Sequence, residues 1–172
     1  MMLNLPYQLK LKRFTKKDIT KKYLSFLNDK NLLKYSDQRH INHNYKTSIK
    51  YLNSFKKSQN LFLKIILNNN FIGTCTIYID KHNQNANIGF LIGNQNIHNK
   101  GFASIILKYL IKYLFQKKKL NKISCGTIDQ NYSMIKVCKK NKMFLDATLT
   151  NEKLIEKKFH NVLIYSILRK NK

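Results

Sequence analysis

The chain has 172 residues, 43% of them hydrophobic, with 33 Lys and Arg against 8 Asp and Glu and a formal net charge of +25. That length predicts one sizeable core and a single domain over residues 1–172. No run approaches the ~18–20 apolar residues that span a bilayer, and the opening MMLNLPYQLKLKRF lacks a signal-peptide apolar stretch, so a soluble, cytoplasmic protein with no membrane partner is expected. Of the basic residues 30 are Lys, and 22 residues are Asn, a pairing that AT-rich codons produce without selection for binding. No Arg-rich arm or RNP-like aromatic pattern accompanies the lysines, which argues against specific nucleic-acid binding. A positive field still raises the encounter rate with anionic substrates. Cys75, Cys125 and Cys138 form no C-x-x-C, so neither a disulfide framework nor a thiolate metal site is expected.

In chain order, Tyr7–Phe14 alternates and predicts a first strand. Thr15 to Asp18 has capping-box spacing, with Asp in place of Glu or Gln, and predicts a helix through Ile19–Asp29. After the irregular segment Lys30–Tyr45, a second helix is predicted over Lys46–Ser58. Strands Leu61–Leu67 and Phe71–Asp80 are joined by an Asn68–Asn70 turn of the type that links antiparallel strands. A fourth strand, Ile88–Ile92, runs into a polar loop and then a long apolar helix ending at Gln116. Lys108, Lys112 and Gln116 recur every four residues while nearly everything else is apolar, so a narrow stripe meets water and the rest packs on a sheet; Tyr109 and Tyr113 read as packing. Lys122–Asp129 predicts a fifth strand, Tyr132–Lys140 another helix and Asn161–Leu168 a closing strand. The fold class is α/β, a sheet with helices on it.

Within His98–Ser104 the backbone leaves a strand and turns into a helix, with Gly101 at the tightest point. Successive amides at a helix start face one way and suit an anion. A plain strand-to-helix connector would look the same.

The sequence His98–Ala103, HNKGFA, resembles the Q/R-x-x-G-x-G/A loop of the GNAT superfamily of N-acetyltransferases, with His98 where Gln or Arg is commonest. Asn131–Phe144, NYSMIKVCKKNKMF, is similar to that superfamily's second signature. Tyr23–Arg39 resembles the start of the subgroup containing ribosomal-protein and nucleotide-amino-sugar acetyltransferases, and Ile88–Gly93 its fourth strand. The resemblance implies a single-domain GNAT-like fold with a central mixed, mostly antiparallel sheet flanked by helices. It implies direct acetyl transfer from acetyl-CoA to a primary amine in a ternary complex. By the same resemblance the loop opened by His98 holds the pyrophosphate on the amides of Asn99, Lys100, Gly101, Phe102, Ala103 and Ser104. The pantetheine would run beside Phe90, Leu91 and Ile92, a backbone N–H near Leu91 would stabilise the oxyanion, and Asn131 would touch the pantetheine or a water.

Departures from the family pattern define the open chemistry. Cys138 stands where relatives carry a Tyr general acid. An ordinary thiol, near pKa ~8.5, matches a departing CoA thiolate better than a phenol near ~10, so Cys138 reads either as proton donor or as a small core residue. Met134 replaces the expected Ser and Lys142 the expected Gly. Asn87 occupies the place of a Glu and cannot accept a proton; Asp80, His82, Asp37, His40, His43 or water remain as bases. His40 and His43 are spaced like a metal pair but no acidic or Cys ligand lies near in sequence, and no metal is expected. The resemblance makes Tyr35, Arg39, His40 and Tyr78 the substrate contacts, with loop or core packing as the alternative for each. Three readings of the acceptor follow: a small-molecule amine, most directly a nucleotide-linked amino sugar; the N-terminus of a ribosomal-type protein; or no acceptor at all, in a module that binds acetyl-CoA without catalysis. Polyamines fit worst, because a +25 chain repels polycations. A monomer or a homodimer is compatible with the sequence.

Overall fold

The first alternating segment yields a shorter strand than its pattern predicts. In the computed structural model, which describes residues 2–169, Tyr7 and Gln8 take positive φ (59° and 56°) and turn the chain. Strand β2 therefore begins at Leu9 (Leu9–Arg13) and pairs antiparallel with β1 (Met2–Asn4), which no periodicity marks. Thr15 and Asp18 do form a capping box, but around one 3-10 turn, Lys16–Asp18. Helix α1 (Lys21–Asn28) starts afresh from Thr20, whose hydroxyl accepts from the Tyr23 N–H at 3.2 Å. Helix α2 (Tyr45–Ser54) is capped by Asn44 and stops short of Lys56–Ser58. Strands β3 (Leu61–Leu67) and β4 (Asn70–Asp80) meet through Asn68 and Asn69, both at positive φ (48° and 62°), the conformation that tight antiparallel turns require.

The remaining elements are β5 (Asn85–Ile92), α3 (Phe102–Gln116), β6 (Lys122–Ile128), α4 (Tyr132–Lys140), β7 (Phe144–Ile155) and β8 (Lys158–Leu168). Hydrogen bonding joins the strands in the order β1-β2-β3-β4-β5-β6-β8-β7. The β5–β6 pairing is parallel, from Asn85↔Lys122 to Asn87↔Ser124, and β6 continues to Ile128 beyond it. β8 runs antiparallel along the whole of β6, from Lys122↔Leu168 to Ile128↔Val162. This is the mixed, mostly antiparallel sheet with helices that the family resemblance implies.

Residues group into two compact units. One holds the chain to Thr76 with Phe90–Asn96. Its core is aromatic: Phe14, Tyr23, Phe55 and Phe62 are buried, with ring centroids 4.4 Å apart for Phe14–Phe62 and 4.7 Å for Phe14–Tyr23. Each such side chain withdrawn from water contributes about 1.5–3 kcal/mol before entropy is counted. The other unit holds Ile77–Gly89 and the chain from Ile97. There Ile106, Leu107, Leu110 and Leu114 are fully buried while Lys108, Lys112 and Gln116 are exposed, the stripe the sequence predicts.

Candidate active site

Among the described residues, three of the four α-helices begin on a side chain that accepts from the helix: Thr20 for α1, Asn44 for α2 and Asn131 for α4. Helix α3 begins on Gly101, with no side-chain capping bond. Its first intrahelical bond is Ile105 N–H to the Gly101 carbonyl at 3.2 Å. The amides of Phe102, Ala103 and Ser104 therefore have no acceptor within the helix. Gly101 has φ +81°, and a Cβ there would meet nothing within 4 Å. Asn99 is also left-handed, at 61°, so two such residues flank Lys100 while His98, Asn99 and Lys100 are all exposed. The loop thus combines amides without an acceptor inside the helix, an exposed cation and open space at Gly101, features that suit an anion.

The start of α3 is held by a residue the family motif does not single out. Asn141, the C-cap of α4, donates from Nδ2 to the Ser104 carbonyl at 3.2 Å and to the Ser104 Oγ at 3.0 Å. It also bonds the Val137 carbonyl at 2.9 Å, so one side chain ties the last turn of α4 to the first turn of α3. The end of α4 is a Schellman motif: Met143 N–H reaches the Cys138 carbonyl at 3.2 Å and Lys142 N–H the Lys139 carbonyl at 3.0 Å. Lys142 sits at φ 59°, the left-handed pose for which glycine is the usual choice, so the geometry survives the substitution of the family's Gly.

Asn131 caps α4 by accepting from Met134 N–H at 3.3 Å, which leaves its Nδ2 for another partner. Cys138 has no exposed surface. A hydrogen bond with the Cys125 thiol of β6 holds it below the usual thiol range, against the upward push of burial. All three cysteines are free.

In the other unit, Leu91 packs its side chain on the aromatic core. A Cβ at Gly73 would lie 2.1 Å from the Leu91 carbonyl oxygen, so a residue without a side chain on β4 lets the Leu91 backbone approach. Tyr35 and Arg39 are half-buried and His40 is exposed. Arg39 Nη1 donates to the Ser36 carbonyl at 2.9 Å and lies 3.7 Å from Asp37, so this guanidinium also braces its own loop. His43 is buried, with Nε2 3.1 Å from the Gln38 carbonyl and its backbone clasped by Asn28, which accepts from the His43 N–H at 2.9 Å and donates to its carbonyl at 2.8 Å. Tyr78, on β4, is 44% exposed. Among the described residues no three His, Cys, Asp or Glu gather as metal ligands, and no helix is long and apolar enough to cross a membrane.

The acetyltransferase (GNAT) domain pattern matches residues 8–143. The chain belongs to the GNAT acetyltransferase family. As a member it is an acetyl-CoA-dependent N-acetyltransferase. Solved GNAT structures share its fold. RimL, a ribosomal L7/L12 α-N-protein acetyltransferase described in complex with coenzyme A, is 15% identical, with 98% of each chain covered and a TM-score of 0.87. A spermidine N-acetyltransferase from Vibrio cholerae, with CoA and spermine, is 18% identical over 94% of this chain and 95% of that one, at a TM-score of 0.83. The microcin C7 self-immunity acetyltransferase MccE, with acetyl-CoA and AMP, is 18% identical over 94% and 92%, at 0.80. No curated protein matches the sequence significantly.

Proposed function

We propose that this GNAT enzyme acetylates the primary amine of a small anionic acceptor, a nucleotide-linked amino sugar, in the cytoplasm. The observation that carries the cofactor half is the uncapped start of α3 at Gly101, with open space before it. The loop from His98 to Ser104 would hold the diphosphate of acetyl-CoA, with Lys100 adding charge. The backbone of Phe90–Ile92 would lie along the pantetheine, and the Leu91 N–H would stabilise the oxyanion, a donor whose loss typically costs about 10²–10³ in rate. Asn131 would reach the pantetheine through Nδ2. Tyr35, Arg39, His40 and Tyr78 would contact the acceptor. For Cys138, burial and the bond to Cys125 support the packing role over proton donation.

The acceptor half is supported by charge. A net +25 favours an anionic acceptor and disfavours a polycation, and MccE, one protein of this fold, is described with AMP. A protein α-amine is the second reading, favoured by the similarity to RimL. Mass spectrometry of pooled acceptors after incubation with acetyl-CoA separates them. The pool contains amino-sugar nucleotides, ribosomal N-terminal peptides, polyamines and aminoglycosides, with Gly101→Val as control. One acetyl added to a sugar nucleotide, absent in the control, supports the first reading; acetylated peptides would replace it. Binding of acetyl-CoA with no acceptor modified would favour a non-catalytic module instead.

A further inference from the structure

Asn87 leaves the reaction without its usual Glu, and the structure occupies most of the substitutes. The Asp80 carboxylate accepts from Asn83 N–H at 2.9 Å and Asn83 Nδ2 at 2.7 Å, bonds that hold it below the usual carboxylate range. His43 is buried on Gln38, and Asp37 lies beside Arg39. His40 and His82 stand on exposed positions.

A different pair forms at the C-terminal end of β6. His160 Nδ1 lies 3.1 Å from Asp129 Oδ1, with the two side chains 18% and 26% exposed. Asp129 Oδ2 accepts from Asn161 N–H at 3.1 Å, and Asp129 N–H donates to the Asn161 carbonyl at 3.0 Å. The carboxylate is thereby fixed against the start of β8. With Nδ1–H donating to it, Nε2 is the nitrogen left with its lone pair, the tautomer that a base requires. The pair lies next to the second GNAT signature: Asn131, two residues beyond Asp129, caps α4, and its N–H bonds the Ile128 carbonyl at 2.9 Å. Lys153 of β7 stands opposite His160 in the ladder, and Lys158 precedes it on β8.

We infer that His160 is the general base toward the acceptor amine and Asp129 the positioning residue that fixes its tautomer. The inference rests on the acetyl-transfer reading above. The amine nitrogen forms the C–N bond to the thioester carbonyl carbon, and the proton it must lose passes to His160 Nε2. The C–S bond then breaks, and the CoA thiolate leaves and takes up a proton, so amide and CoA thiol are the products.

His160→Asn keeps a donor toward Asp129 and removes the titrating nitrogen. With the amine that the wild-type acetylates fastest, kcat/KM is expected to fall about 10²-fold, and the acid limb of its pH profile to disappear. The Kd for acetyl-CoA is expected to stay within about twofold. Asp129→Asn should lower the rate less. In long-range ¹H–¹⁵N spectra it should convert His160 from the Nδ1–H tautomer to a mixture, a readout that needs no turnover. If the wild-type acetylates no amine offered, the acceptor reading fails; the base is then read on acetyl-CoA hydrolysis, with water losing the proton, and on the wild-type tautomer. An unchanged rate and acid limb in His160→Asn, or an Nε2–H tautomer in the wild-type, overturns the inference. Should His160→Asn fail to fold, His160→Gln replaces it.

Discussion

At Gly93 a Cβ would lie 2.0 Å from the ring of Phe26, and at Gly73 2.1 Å from the Leu91 carbonyl oxygen, whereas at Gly101 it would meet nothing within 4 Å. Glycines 73 and 93 are small because other parts of the protein occupy the space. Gly101 is small in front of an empty one, and its φ of +81° adds a conformational demand. A glycine pressed by its own protein and a glycine facing open space leave the same letter in a sequence. Substitutions separate them, because the first kind is felt in stability and the second in binding.

Gly73→Ala should have the largest effect. The clash is with backbone and cannot be relieved by a rotamer change, so a loss of roughly 3 kcal/mol or more is expected in denaturant unfolding. Gly93→Ala meets a side chain that can shift, and should lose less. Equal, small effects at both would break the contrast.

Gly101→Val should do the opposite. Left-handed backbone costs a branched residue about 1–3 kcal/mol, while acetyl-CoA affinity, measured by calorimetry, should drop by more than about tenfold, roughly 1.4 kcal/mol. Unchanged affinity would remove the diphosphate from this loop.

Cys138→Ala tests packing against chemistry in the same way. Removing a fully buried sulfur should cost about 1 kcal/mol of stability, while kcat stays within about threefold across pH; a lost alkaline or acid limb would return the thiol to the mechanism. Lys142→Gly is the smallest case. Lys142 already takes a glycine conformation at φ 59°, so glycine there should raise stability by about 0.5–1 kcal/mol with no change in acetyl-CoA affinity.

Much of this was readable locally. The every-fourth-residue stripe Lys108, Lys112, Gln116 marks α3, and α4 and β3 fall on the residues their patterns predict, Tyr132–Lys140 and Leu61–Leu67. The loop before α3 was legible through its one glycine. β7 was not: nearly every residue from Phe144 to Lys153 faces solvent, so its apolar residues do not alternate, and pairing to β8 with register shifts near Leu145 and Leu149 alone makes it a strand. The capping box at Thr15 and Asp18 forms but supports only the turn Lys16–Asp18, because a local cap fixes one turn and says nothing of the next.

The sequence by itself determined the family, the order of most elements and the glycine loop that opens α3, since caps, turns and periodicity act over a few residues. The tertiary structure decided what depends on distant partners. It set Asn141 on Ser104, 37 residues away in sequence, and His160 on Asp129, 31 residues away. It buried Cys138 beside Cys125 and pressed Leu91 onto Gly73. Hydrogen bonds and close packing between such residues exist only once the sheet has brought their strands and helices together, and no spacing in the chain encodes them.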